Sequence, residues 1–289
     1  MPKTQALTKL GEPKIRGYLA RRANTAVFLY RRRRNETWLI TCDYGDGKGK
    51  SKRPRFEVGS RFAGRFYPGR CSLSPNGDHF VYFVMGGHQS TFADQHYCWT
   101  AMCKPPQITA EFLLPHDDTW GGGGVFLDDK SLVIFSGMYH GRKELQPINN
   151  QVISGTKVYV SDTFGEIPDA AHGIKIVDDG WRGTAGWEML AGRWWKKCGK
   201  LSLLARYRDD WQQRGGFDSY QYFLVDQKNK PQPQQAMLED VQWADFDRLN
   251  RLWVTRGQQI EIFNPSKSDA AEKPIVTIDL ELVVERSRT

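Results

Sequence analysis

Cys71–Phe83 reads CSLSPNGDHFVYF, and the choice of fold turns on this stretch. Ser74-Pro75-Asn76-Gly77-Asp78 carries the residues of a tight turn. Proline presets φ, glycine accepts positive φ, and the Ser, Asn and Asp side chains bond to nearby backbone. The run that follows, His79–Val84 (HFVYFV), is too short for a helix and rich in aromatic and β-branched residues. An unbroken apolar run of this kind describes a strand covered on both faces, not one with a wet side.

The same kind of run recurs along the chain. Ala26–Tyr30 (AVFLY), Ser131–Phe135 (SLVIF), Leu201–Ala205 (LSLLA) and Arg251–Val254 (RLWV) share it, and the first residues of the five runs are spaced by 53, 52, 70 and 50. A repeat near this length is the mark of a propeller or another repeat array. The long interval contains His140–Ser154 (HGRKELQPINNQVIS), which reads as a loop.

Each period divides into four strands. The second gives Arg70–Ser74, HFVYFV, Tyr97–Lys104 (YCWTAMCK) and Ile108–Pro115 (ITAEFLLP). The fifth gives Val241–Asp247 (VQWADFD), RLWV, Gln259–Phe263 (QIEIF) and Pro274–Leu280 (PIVTIDL). The third gives GGGVFLD, SLVIFSG, KVYVSD and GIKIVDD, and the fourth GWEMLAGRW, LSLLARY, SYQYFLVD and QAMLEDV. The first is the loosest, with GYLARR, TAVFLYRR, TWLITCDY and RFEVG.

A four-stranded sheet that is apolar on both faces is stable only when neighbouring sheets cover it, and closure into a ring leaves only short edges. The expected architecture is therefore all-β, a single β-propeller domain over residues 1–289 with about five four-stranded blades. The blades fall roughly at 13–60, 61–116, 117–180, 181–239 and 240–282. Six blades fit instead if residues 138–186 hold an irregular sheet. The ends of the chain show no pattern that identifies how the ring closes.

CSLSPNGDHFVYF resembles the "SPDG" blade motif of WD40-like and TolB-type propellers, with Asn76 in the place of the usual Asp, and WADFDRLNRLWV has the same blade grammar. The Trp-Asp dipeptide of true WD40 repeats is missing. The chain is also similar to uncharacterised bacterial proteins that carry TWGGGG, here Thr119–Gly124. The resemblance implies a propeller and a bacterial origin, and it brings no activity with it.

The net charge of +8 is unevenly spread: residues 1–70 carry +13 and the remainder −5. Such asymmetry points to an anionic partner. No run of about 18 apolar residues is present, so no membrane span is expected. The start lacks an apolar signal segment, and the five cysteines are odd in number without a CxxC pair, which together predict a cytoplasmic protein with reduced thiols.

No cofactor or metal is expected. Gly121–Gly124 has neither dinucleotide-binding nor P-loop spacing, and the six histidines form no zinc pattern. Among the acidic residues, Asp118, Asp129, Glu188 and Asp245 lie near predicted inner strands. These are the carboxylates of a glycosidase-like hydrolase at the central channel, if two of them converge. The basic residues Arg31, Arg32, Arg33 and Arg34 at a hairpin turn, with Lys50, Lys52 and Arg53 in the next loop, suit an acidic protein or, more weakly, a nucleic acid. Trp194 and Trp195, within a Trp-rich fourth unit, are candidates for a binding patch. The leading expectation is a non-enzymatic interaction propeller with a protein partner.

Overall fold

A computed structural model of the chain describes residues 12–45, 53–86, 97–116, 118–119, 121–135, 146–161, 181–183, 193–207, 217, 220–226, 235–265 and 273–288. Five small sheets stand in sequence order as the blades of a β-propeller. Blade 1 is β1 (Lys14–Leu19), β2 (Thr25–Arg33), β3 (Glu36–Asp43) and β4 (Arg55–Phe62), paired in that order. In blade 2 the inner position is split between β5 (Gly64–Phe66) and β6 (Ser72–Leu73). A 3-10 turn at Pro68–Arg70 separates them, and both pair with β7 (Phe80–Gly86). β8 (Cys98–Cys103) and β9 (Ala110–His116) complete that blade.

Blade 3 departs from the expected plan. β10 (Gly124–Asp128) and β11 (Ser131–Phe135) are the anticipated inner strands. The outer pair is a hairpin of β12 (Gln146–Ile153) and β13 (Thr156–Ser161), laid so that β13 runs parallel to β11 and β12 takes the edge. Part of the stretch read as a loop is thus the edge strand. The segment GIKIVDD, expected there, lies outside the described residues.

Blade 4 has five strands: β14 (Trp181–Gly183), β15 (Arg193–Cys198), β16 (Leu201–Tyr207), β17 (Tyr220–Asp226) and β18 (Gln235–Met237). Its inner segment GWEMLAGRW is described only from Arg193 onward, where β15 begins. Blade 5 is β19 (Trp243–Phe246), β20 (Leu252–Arg256), β21 (Gln259–Phe263) and β22 (Val276–Asp279). The chain then turns into α1 (Leu280–Arg286), so Leu280 opens a helix and does not end a strand as expected.

The cores lie between blades. Phe28, Ile40, Trp243, Trp253 and Ile262 fill the seam of blades 1 and 5. Leu29, Leu39, Phe80 and Tyr82 fill the seam of blades 1 and 2. Val81, Met102, Leu132 and Ile134 join blades 2 and 3, and Leu203, Tyr222, Val254 and Phe263 join blades 4 and 5. Alternate residues of one strand therefore serve different seams: Val81 faces blade 3 while Phe80 and Tyr82 face blade 1. This is why HFVYFV has no polar positions.

The ring closes by packing blade 5 face to face on blade 1, with no strand exchanged among the described residues. The Gln242 side chain accepts from Ile15 N at 2.9 Å and donates to Pro13 O at 3.0 Å. Thr255 Oγ1 donates to Ile15 O at 3.2 Å. The Trp243 ring lies against Gly17, where a Cβ would stand 2.6 Å from the indole. Helix α1 seals the outside of the seam. Asp279 caps its N-terminus by accepting from Glu281 N and Leu282 N, and Leu280 and Val284 are buried in the seam.

The glycine string is explained by close packing. Gly122 and Gly123 adopt φ of +93° and +88°, and a Cβ on Gly122 would meet the Phe83 ring at 2.3 Å. Arg70 Nη1 donates to Thr119 O and Gly121 O, each at 2.7 Å, and Gly123 N donates to Thr100 Oγ1 at 2.7 Å. The run thus wraps Phe83 and Arg70 and joins blade 2 to blade 3, which only glycine allows at positive φ beside backbone.

The five cysteines are unpaired, four of them buried and Cys71 half-buried. Burial pushes the Cys71 thiol up to about 12 and that of Cys98 up to about 11. Thiols so raised are protonated and poorly nucleophilic at neutral pH. In a native thiol titration at pH 7 we expect about one equivalent or less to react promptly, and all five cysteines to react only in denaturant. Rapid modification of several thiols in the folded protein would contradict this packing.

Candidate functional site

Two places collect charge: the ring axis and the basic edge of blade 1. At the axis, β1 alternates. Ile15, Gly17 and Leu19 enter the blade 5 seam, and Arg16 and Tyr18 point the other way. Arg16 crosses to blade 4, where its Nη1 donates to the Tyr222 hydroxyl at 3.3 Å and its guanidinium lies 5.7 Å from the centre of the Tyr220 ring. The Tyr18 hydroxyl donates to Pro68 O at 2.7 Å. Burial opposes the charge on Arg16, but the surrounding tyrosines and Asp245 hold its pKa above the ordinary arginine value. Burial also raises the Tyr18 and Tyr222 hydroxyls.

Asp245, on β19, is buried and fully engaged. Lys196 Nζ from β15 donates to its Oδ1 at 2.7 Å and to Phe246 O at 3.0 Å. The carboxylate also accepts from Phe246 N at 2.7 Å, and Arg21 stands 3.9 Å away. Asp129 belongs to a different assembly, formed by the inner hairpin turns of the blades. Arg22 of blade 1 reaches the turn of blade 3 and donates to Asp129 Oδ2 at 2.8 Å, while Asn76 N of blade 2 donates to its Oδ1 at 2.7 Å. Arg22 N donates to Pro75 O at 2.7 Å, and Arg248 of blade 5 donates to Arg22 O at 2.5 Å. Cys198 of blade 4 lies 3.7 Å from Asn250 O. The SPNGD turn and Asp129 thus tie blades 1, 2 and 3 together on one face, and Arg248 and Cys198 extend these turn contacts to blades 5 and 4.

Asp118 lies at the start of the glycine string, 3.5 Å from Gly121 N. Glu188 lies outside the described residues. Asp118, Asp129 and Asp245 therefore stand in three separate settings: the glycine string, the inner turns and the axis.

On the basic edge, the four arginines divide. Arg31 is half-buried with its guanidinium 4.8 Å from the Phe217 ring, a blade 4 side chain buried in the seam of blades 1 and 2. Arg32 is held by Glu281 of α1, through its Nε at 3.0 Å and a second contact from Nη2, with Glu36 at 3.8 Å. The Tyr30 hydroxyl donates to the same Glu281 at 2.7 Å. Arg33 and Arg34, at the β2–β3 turn, are exposed, and no carboxylate pairs with them among the described residues. Arg53 is exposed too, and Arg55 nearby makes an exposed pair with Asp43 at 3.6 Å. Lys50 and Lys52 lie outside the described residues.

Trp194 and Trp195 occupy successive positions of β15, opposite Ala205 and Leu204 of β16. Their side chains lie outside the described residues. Sequence reasoning named Asp245 and missed Arg16, Tyr18, Lys196 and Tyr222. The alternation of KIRGYL around Ile15, Gly17 and Leu19 is the one local signal that sets Arg16 and Tyr18 apart.

The fold and the two charged regions define a five-bladed β-propeller with a cationic axis and a basic outer turn. No protein-family model matches the chain, and no curated protein matches it in sequence.

Proposed function

We propose that the protein is a non-enzymatic interaction propeller of the WD40-like kind, and that the turn at Arg33 and Arg34, with Arg53, engages an acidic segment of a protein partner. The observation that carries this reading is the contrast within the arginine run. Arg31 and Arg32 are committed to the ring, whereas Arg33 and Arg34 are exposed at its edge with no counter-ion among the described residues. Exposed guanidinium groups on a rigid turn recognise carboxylates at little ordering cost. Unpaired thiols suit a reducing compartment such as the cytoplasm. Among the described residues no helix is long and apolar enough to cross a membrane.

The hydrolase reading has less to support it. Glycoside hydrolysis needs two carboxyl groups flanking one bond, and Asp129 and Asp245 are each already engaged by cations and backbone amides.

The test is binding of the purified protein to a polyglutamate peptide and to a single-stranded oligonucleotide of equal charge. We expect salt-sensitive binding of the peptide, weakened about tenfold or more by Arg33→Glu/Arg34→Glu. Unchanged affinity in that variant would overturn the reading, and tighter binding of the oligonucleotide would replace the acidic protein with a nucleic acid.

A further inference from the structure

The helix that seals the ring is itself gripped by the arginine run. β2 and β3 slip out of register between Arg31 and Arg33, so Arg32 is the extra residue of a β-bulge. A bulge re-aims its side chain. Here Arg32 turns to α1, while Arg33 stands opposite Glu36 in the ladder. Glu281 and Glu285 lie one turn apart on α1, and both carboxylates reach this one guanidinium. Glu281 accepts from its Nε at 3.0 Å and makes a second contact with Nη2, and Glu285 stands 3.8 Å from Nη2. Arg32 thus already holds an acidic segment beside Arg33 and Arg34, and that segment belongs to the same chain.

The contact can be exchanged at small cost. The pair is partly exposed, with 21% of the Arg32 side chain and 18% of the Glu281 side chain open to solvent, and ion pairs in such settings contribute little. Neither partner depends on it for its place. Helix α1 is seated by Leu280 and Val284 and capped by Asp279. The Tyr30 hydroxyl donates to Glu281 at 2.7 Å, and Arg32 also has Glu36 at 3.8 Å. We propose that α1 is a built-in competitor at the edge site: Glu281 and Glu285 hold Arg32 back, and an acidic segment bound at Arg33 and Arg34 draws it away from them. This regulation rests on the edge-binding reading. It makes Arg32 the third arginine of the occupied site and leaves the helix docked.

The experiment is titration of the full chain with the polyglutamate peptide, comparing the parent with Glu281→Gln/Glu285→Gln. Glutamine keeps the shape and an oxygen for the Tyr30 hydroxyl while removing the charge. We expect the double variant to bind about fivefold more tightly than the parent. Arg32→Gln should change the parent's affinity by less than about twofold. Added to the double variant it should abolish the gain, which a general loss of negative charge would not do. Where the double variant does not fold, Glu285→Gln, at an exposed position, decides by the same comparison with and without Arg32→Gln. A parent that binds and a double variant that binds no better would overturn the competition and leave the edge reading standing. A gain that survives Arg32→Gln would also overturn it. A double variant that binds where the parent does not supports it, and peptide binding by neither overturns it together with the edge reading.

Discussion

Asp247→Ala is expected to destabilise the protein by about 3–5 kcal/mol, the cost of leaving a buried charge partner unpaired together with lost hydrogen bonds. The Asp247 side chain is fully buried. Its Oδ1 accepts from Leu249 N at 2.8 Å and Arg251 N at 2.9 Å, and its Oδ2 from Arg251 Nε at 2.7 Å and Trp253 Nε1 at 2.8 Å. One carboxylate thus shapes the turn between β19 and β20 and orients the indole that enters the ring-closing seam. There Trp253 stacks on Phe28 at 6.0 Å and meets Tyr44 at 5.4 Å, with Arg251 lying over both the Tyr44 and Trp253 rings. Asp247→Asn is also expected to lose stability, because an amide nitrogen cannot accept from Arg251 or Trp253. The urea midpoint should fall with the m-value unchanged. A loss below about 1 kcal/mol would show that this network is not what positions Trp253.

Removing the two buried residues of α1 is the second large effect. Leu280 and Val284 are both fully buried between blades 1 and 5. Leu280→Ala/Val284→Ala should cost about 4 kcal/mol or more, because large-to-small changes add a cavity to the lost burial. The Glu281 contacts to Arg32 and Tyr30 are partly exposed and add less. Equilibrium unfolding of the double variant measures the loss. Parent-like stability would mean that the helix rests on the seam without holding it.

Much of the fold was legible because propeller seams write themselves into the sequence. Strands β2, β7 and β20 each face two seams, and their apolar runs, with those of β11 and β16, repeat with the blades. The SPNGD turn is equally local: Ser74, Asn76 and Asp78 bond among themselves, with Ser74 Oγ to Asn76 Oδ1 at 2.7 Å. Pairing order is not local, and blade 3 shows it. The segment QPINNQVI has little apolar alternation, and nothing within it announces that it will lie outside β13 while β13 runs parallel to β11. Helix α1 has seven residues, too few to reveal a helical period, and its capping Asp279 continues a strand pattern.

The charged sites were legible by composition and not by geometry. A run of four arginines reads as one patch, and it is divided by the placement of Glu281, 249 positions from Arg32, and of the Phe217 ring against Arg31. The axial cluster draws Arg16, Lys196, Tyr222 and Asp245 from three blades, so no spacing could have assembled it. Asp129 reads as a carboxylate near an inner strand, and its neighbours from blades 1 and 2 make it a tie between turns.

Closure of blade 5 on blade 1 underlies the rigid ring on which the proposed edge contact depends. Hydrogen exchange tests it most directly. The amides of β1 and of β19–β20, more than 200 positions apart, should open together, and Leu280→Ala/Val284→Ala should lower protection in both by the same factor while leaving β8–β9 unchanged. If β1 exchanged freely while β19–β20 stayed protected, or if the variant affected blade 5 alone, the ring would not be closed by this seam.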